Sequence, residues 1–166
     1  MTGTTEARIR SAMANCSRGE ARRMTLPGWV REVGLDPLDD VLGWRDPRSS
    51  GRGALLVDGA DGLVGIALRA ATGGARAAAM CALCRTTHTA GGVALFAAAR
   101  SGAAGRQGDS VGTYVCADLA CARHVRVEKA TVALRPVPGT DVAQRRAGLR
   151  ERALAFVATV TGPPVG

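Results

Sequence analysis

The stretch "AMCALCRTTH" at Ala79–His88 places two thiols three residues apart, and "CADLAC" at Cys116–Cys121 repeats the device downstream. Written out, the pattern is C-x2-C-x31-C-x4-C over Cys81, Cys84, Cys116 and Cys121. Alone, the first pair admits a redox couple, half of a metal site, or two small buried side chains. The matching second pair favours metal, because four thiolates close a tetrahedral zinc shell at Zn–S distances of about 2.3 Å. The x4 spacing is looser than the usual x2. It leaves open a site in which His124, three residues after Cys121, replaces one thiol. Otherwise His88 and His124 are expected as polar surface residues near the cysteines.

The chain around these cysteines sets the expected layout. "GGVALFAAAR" (Gly91–Arg100) and "VGTYVC" (Val111–Cys116) read as two strands flanking the glycine-rich turn "SGAAGRQGDS", and "ADLACARHVRV" reads as the start of a helix. A knuckle, a hairpin and a helix carrying the second ligand pair make a treble-clef finger. The dipole of that helix helps hold thiolates ionised.

Composition points the same way. Of 166 residues, 46% are hydrophobic, yet the aromatics are only two Trp, one Tyr and two Phe. Few large side chains bury little apolar area per residue, so a structural metal is a plausible second source of stability. Net charge is +8, and Lys129 is the one basic residue that is not arginine. That charge suits an acidic partner, or reflects a GC-rich coding sequence that enriches Ala, Gly and Arg. "MTGTTEARIRSAMANC" is not a secretory signal, and no apolar run approaches the ~20 residues of a membrane span. A cytoplasmic location is therefore expected, where structural disulfides are rare.

Upstream, Ile9, Ala12, Met13 and Cys16 fall on one helical stripe, with Cys16 a small buried hydrophobe. "SRGE" at Ser17–Glu20 is a capping box for a second helix carrying Ala21 and Met24. "LDPLDDVLGWRDPRSSGRG" reads as mostly irregular chain. Leu55–Val57 and Leu63–Leu68 flank the turn "DGADG" as a β-hairpin, and Gly73–Arg76 leads into the cysteine region. The tail is a long helix, Asp141–Val160, with Val142, Leu149, Ala153, Phe156, Val157 and Val160 on one stripe and Arg145, Arg146, Arg150 and Arg152 largely off it. Gly162-Pro163-Pro164 ends it.

Four thiolates fill a zinc shell and leave no open position, and no H-x-E partner, Walker loop, H-E-x-x-H or nucleophile elbow accompanies them. The expected protein is a binder rather than an enzyme.

From Gly73 to Val127 the chain resembles the C-terminal zinc-binding domain of the elongation factor G-binding family, the fusidic-acid-resistance type. The residues that carry the likeness are "MCALCRTTHTAGGVALFAAARSGAAGRQGDSVGTYVCADLACARHVR", with "NCSRGEARRMTLP" and "LGWRDPR" extending it over most of the chain. The resemblance implies binding to elongation factor G through the finger, and release of the factor from the ribosome when fusidic acid stalls it. It also implies that Phe96 and Tyr114 stand where the family's contact aromatics lie, beside Arg100 and Arg106. Aromatic and Arg side chains are the types that concentrate binding energy. The chain departs from the family pattern in its short helical start and in Val111 and Gly112, where a basic residue is expected before the strand aromatic. The alternative is an RNA- or ribosome-binding zinc module. It rests on charge alone, since Arg76 to Arg126 hold six arginines against Asp109 and Asp118.

The expected fold is α+β: short N-terminal helices and a hairpin (1–72) packed with a four-cysteine treble-clef finger and C-terminal helix (73–166). Zinc is bound by Cys81, Cys84, Cys116 and Cys121. Phe96, Arg100, Arg106 and Tyr114 form the partner surface.

Overall fold

The computed structural model describes residues 4–71 and 77–162. The expected boundary at 72/73, the lead-in Gly73–Arg76 and the closing Pro163-Pro164 lie outside the described residues.

Helix α1 (Thr5–Ala12) is capped by the Thr4 hydroxyl, which accepts from the Ala7 N–H at 3.2 Å. It buries Ile9 and stops at Ala12, short of the expected stripe. Met13 turns extended, and the Ala14 N–H donates to Gly65 O at 2.9 Å, so the sheet captures the chain before Cys16. Cys16 is consequently half-buried beside the sheet rather than enclosed. Helix α2 (Arg18–Arg23) starts on the Ser17/Glu20 capping box. Arg10 donates to the free carbonyls at its end, those of Ala21, Arg22 and Met24. A single turn, α3 (Gly28–Arg31), buries Val30.

The segment expected to be irregular contains strand β1 (Leu42–Asp46), and β2 (Ser49–Gly59) begins directly after it. Turn residues at Asp46–Pro47 mask this strand in the sequence, while Leu42 and Trp44 alternate onto the N-terminal core. Strands β2 and β3 (Gly62–Ala70) form the expected hairpin. Beyond it come β4 (Ala79–Met80), β5 (Thr87–His88), β6 (Val93–Ala99), helix α4 (Gly102–Arg106), β7 (Ser110–Cys116), helix α5 (Cys121–His124), β8 (Leu134–Arg135) and α6 (Val142–Thr161). Part of the expected glycine-rich turn is thus a short helix.

Two antiparallel sheets result. The larger runs β1-β2-β3-β6-β7, and a small one runs β4-β5-β8. Pairing of Arg69 with Ala97 and Ala70 with Phe96 joins the upstream hairpin to the finger hairpin in one sheet. Period-2 alternation sorts β2 between two cores. Ala54 and Leu56 face Ile9, Leu26, Val30 and Trp44. Leu55 and Val57 face Phe96, the four cysteines and α6.

Helix α6 opens on a capping box of Asp141 and Gln144 and buries Leu149, Ala153, Phe156, Val157 and Val160, as its stripe requires. Arg145 joins that stripe, contrary to expectation. It is 6% exposed, and its guanidinium donates to the carbonyls of Val125, Val127 and Thr140 at 3.0, 2.9 and 2.6 Å. Five donors in a planar fork make burial of this cation tolerable.

Candidate metal centre and recognition surface

Two sharp turns aim the four thiols at one point. In the first, the Cys81 N–H donates to Thr86 O at 3.0 Å and the Arg85 N–H to Cys81 O at 2.9 Å. Arg85 adopts φ 58 to close the loop. The N–H groups of Leu83 and Cys84 both point at Cys81 Sγ, at 3.4 Å each. Such donors stabilise a thiolate.

In the second turn the Leu119 N–H donates to Cys116 O at 2.8 Å, with Leu119 itself at φ 58. Asp118 Oδ1 accepts the Ala120 N–H at 2.9 Å and launches α5, which begins on Cys121. The two extra residues of the x4 spacing are used by Leu119, whose side chain folds back into the core at 1% exposure.

The sulfurs converge. Cys81 Sγ lies 3.7 Å from Cys121 Sγ, and Cys84 Sγ lies 3.4 Å from Cys116 Sγ. Ligands about 2.3 Å from a common tetrahedral centre stand roughly 3.8 Å apart, so the buried set fits zinc. Hydrogen bonds from Cys116 and Cys121 hold the Cys84 thiol well below the usual thiol range. Those with Cys116 and Cys81 push Cys121 well above it. A divalent cation at their centre would deprotonate the four thiols together.

Neither histidine is on the surface. His88 and His124 are each 5% exposed, and their rings meet edge-on at 4.9 Å. Cys116 Sγ is 3.2 Å from His88 Nε2 and 3.1 Å from His124 Nδ1. The sequence signal for this was weak, because nothing in the spacing shows β5 and α5 closing over the same sulfur. Burial opposes protonation of His124. The Asp118 carboxylate, 3.2 Å from its Nε2, and Cys84 outweigh that and raise its pKa to about 9. Burial also opposes ionisation of Asp118, but hydrogen bonds from His124 and the Ala120 N–H bring it to about 2. His88 moves the other way, lowered by burial and by His124. A cationic imidazole beside Cys116 would offset the surplus negative charge of four thiolates around one dication.

The expected partner residues separate. Phe96 has no exposure and packs in the core, with the Arg45 guanidinium 5.0 Å from its ring centre. Its side of β6 faces α6, so it supports the finger from beneath. Tyr114, on edge strand β7, is 53% exposed, and its carbonyl accepts the Ala82 N–H of the first knuckle at 2.8 Å. Arg100 is engaged, pairing with Asp109 at 3.2 Å and donating to Thr159 O at 2.6 Å. Arg106 is exposed at the end of α4. Met80, 55% exposed beside the knuckle, was not singled out in the sequence.

Many arginines serve as internal clamps. Arg123 pairs with Asp118, and Arg126 and Arg146 both pair with Asp40. Arg150 donates to Asp58 O, Arg152 to Leu83 O in the knuckle, and Arg45 to Ala117 O. Among the described residues, no helix is long and apolar enough to cross a membrane.

Compared with known families, the chain matches the family described as FBP C-terminal treble-clef zinc-finger over residues 8–160, nearly its whole length. No curated protein matches it.

Proposed function

Because this chain belongs to the FBP C-terminal treble-clef zinc-finger family, we propose that it is a zinc-held docking protein for translation elongation factor G, acting on the ribosome-bound factor. Zinc is its cofactor, and in this reading Cys81, Cys84, Cys116 and Cys121 are the ligands, with no position left for substrate. Tyr114 carries the reading. A large aromatic on the outer strand, 53% exposed and fixed by a backbone bond to the knuckle, is a rigid anchor of the kind that dominates interfaces. Leu95 stands directly opposite it on β6, and exposed Met80 flanks the knuckle. Arg106 supplies charge at the far end of the hairpin, while Phe96 and Arg100 hold the surface in shape.

RNA binding by the finger is less favoured. Of its arginines, Arg100, Arg123 and Arg126 are neutralised by carboxylates, and Arg76 lies outside the described residues. The test is calorimetric titration of the zinc-loaded protein into elongation factor G near physiological salt. Saturable binding that weakens tenfold or more in Tyr114→Ala, with unchanged zinc content, supports the reading. Absence of heat, or equal affinity of the variant, overturns it.

A further inference from the structure

On the sheet face that carries the N-terminal helices, three arginines line one cleft, and none has an ion-pair partner among the described residues. Arg52 on β2 stands directly opposite Arg69 on β3, and Arg69 directly opposite Ala97 on β6. Residues so paired share a face, with Cβ atoms about 5 Å apart across an antiparallel ladder. Two like charges in that register repel. Arg23, in the last turn of α2, lines the same cleft of ≈ 460 Å³. Among the described residues, none of Arg23, Arg52 and Arg69 has an ion pair or side-chain hydrogen bond, and these three share one cleft.

Two carboxylates, Glu20 and Asp46, also line the cleft and leave it one positive charge in excess, but neither is ion-paired with these arginines. Glu20 accepts from the Ser17 N–H in the capping box. Asp46 accepts from the N–H groups of Thr25 and Arg48 at 3.0 and 2.8 Å. The lining includes the small residues Gly53, Ala67 and Ala97, with the Asn15 amide bonded to the Ala67 backbone N–H and carbonyl. Three arginines lining one cleft together with small residues, and no aromatic plane among the lining residues, suit a phosphate rather than a base.

We propose that Arg23, Arg52 and Arg69 form a phosphate site for a nucleotide, free or within an RNA strand. The site is separate from the Tyr114 anchor and does not depend on factor binding. Tyr114 shares this sheet face, but lies on β7 two strands from Arg69, at the knuckle end. Phosphate between Arg52 and Arg69 turns a repulsive cross-strand pair into a bridged one, so the ligand stabilises the sheet as it binds.

The experiment uses the full zinc-loaded chain with three probes: inorganic pyrophosphate, ADP and a fluorescent ten-nucleotide uridine strand. Arg52→Gln and Arg69→Gln are compared with Arg106→Gln, which removes the same charge elsewhere. Each cleft variant is expected to weaken probe binding tenfold or more, with Arg106→Gln within twofold of the parent. Without phosphate, Arg69→Gln is expected to melt at or above the parent temperature, because it removes repulsion. Pyrophosphate should raise the melting temperature of the parent and not of Arg69→Gln. A strand bound more than tenfold tighter than ADP identifies RNA as the source, and comparable affinities identify a free nucleotide. Tyr114→Ala should leave pyrophosphate binding unchanged, which separates this site from the factor-binding surface. Equal losses in all three arginine variants, the same stabilisation by glutamate as by pyrophosphate, or no binding of any probe overturns the proposal.

Discussion

Cys116 is the thiol on which both histidines close, touched by Cys84 at 3.4 Å, His88 at 3.2 Å and His124 at 3.1 Å. With the ligand set proposed above, its replacement removes a ligand and leaves two buried imidazoles facing a gap. Cys116→Ser should therefore lose zinc, measured by metal analysis, and the finger fold with it, since metal binding supplies much of a small finger's folding energy. Cys16→Ser is the contrast. Cys16 lies outside the cluster, its thiol pushed up by burial and by Glu20, and the variant should keep full zinc content. Retained zinc in Cys116→Ser would move the ligand assignment towards the histidines. The His124–Asp118 pair carries a pH signature. His124 is raised from 6.5 to about 9, so its contribution is complete below pH 6.5 and fades as pH rises through 9. Asp118 is lowered from 3.8 to about 2, so its contribution is complete above pH 3.8 and fades as pH falls through 2. Because the Asp118 side chain is 47% exposed, solvent screening limits the pair to about 1 kcal/mol. In Asp118→Asn the His124 titration followed by NMR should move down towards the ordinary imidazole value. An unmoved titration would show that the thiolates alone hold the proton.

At the scale of elements, the second knuckle and the first two strands are fitted to one another through missing side chains. A Cβ on Gly43 of β1 would stand 2.1 Å from Leu119 O, and one on Gly53 of β2 would stand 2.5 Å from Leu119 Cδ1. Gly43→Ala is expected to cost about 3 kcal/mol, the upper range for overpacking, because the obstacle is backbone. It should also weaken zinc retention against a chelator, although Gly43 touches no ligand. Unchanged retention would show that β1 can move without disturbing the knuckle. Such contacts explain what the sequence showed and hid. The cysteine spacing, the Ser17–Glu20 capping box, the Leu55–Leu68 hairpin and the α6 stripe follow local rules of period and turn chemistry, and each was legible, whereas the Asp141–Gln144 box that opens α6 was not singled out. Strand β1 was not, because Asp, Pro and Gly around Leu42 and Trp44 read as loop until β2 supplies a partner. Nor was the burial of Arg145, His88 and His124. Each is held by carbonyl, carboxylate or sulfur partners on other elements, and periodicity carries no information about them. Phe96 was expected on the partner surface, and its register on β6 turns it into the core instead.

For the whole molecule, the sheet is the reason that a metal at one end can govern the other. Strand β3 pairs with β6 through Arg69–Ala97 and Ala70–Phe96, and β6 pairs with β7 up to Cys116 itself. Helix α6 lies across the same core as the cysteines and clamps the first knuckle through Arg152. The N-terminal core, with Trp44 at 1% exposure, shares β2 with that core, each taking alternate side chains. Zinc removal should therefore not melt a finger and leave an intact N-terminal layer. Tryptophan emission reads this directly once Trp29, 54% exposed, is replaced by Phe. On chelation, Trp44 emission should shift to the red in step with the loss of helical circular dichroism. The melting temperature should fall by at least about 15 °C, since each kcal/mol is worth roughly 2–4 °C in a chain of this size and zinc contributes several. A Trp44 that stays buried while the helical signal drops would mean that the three upstream strands and their helices fold without the finger. In that case the glycine contacts at Leu119 would be a docking surface between two units rather than part of one cooperative core.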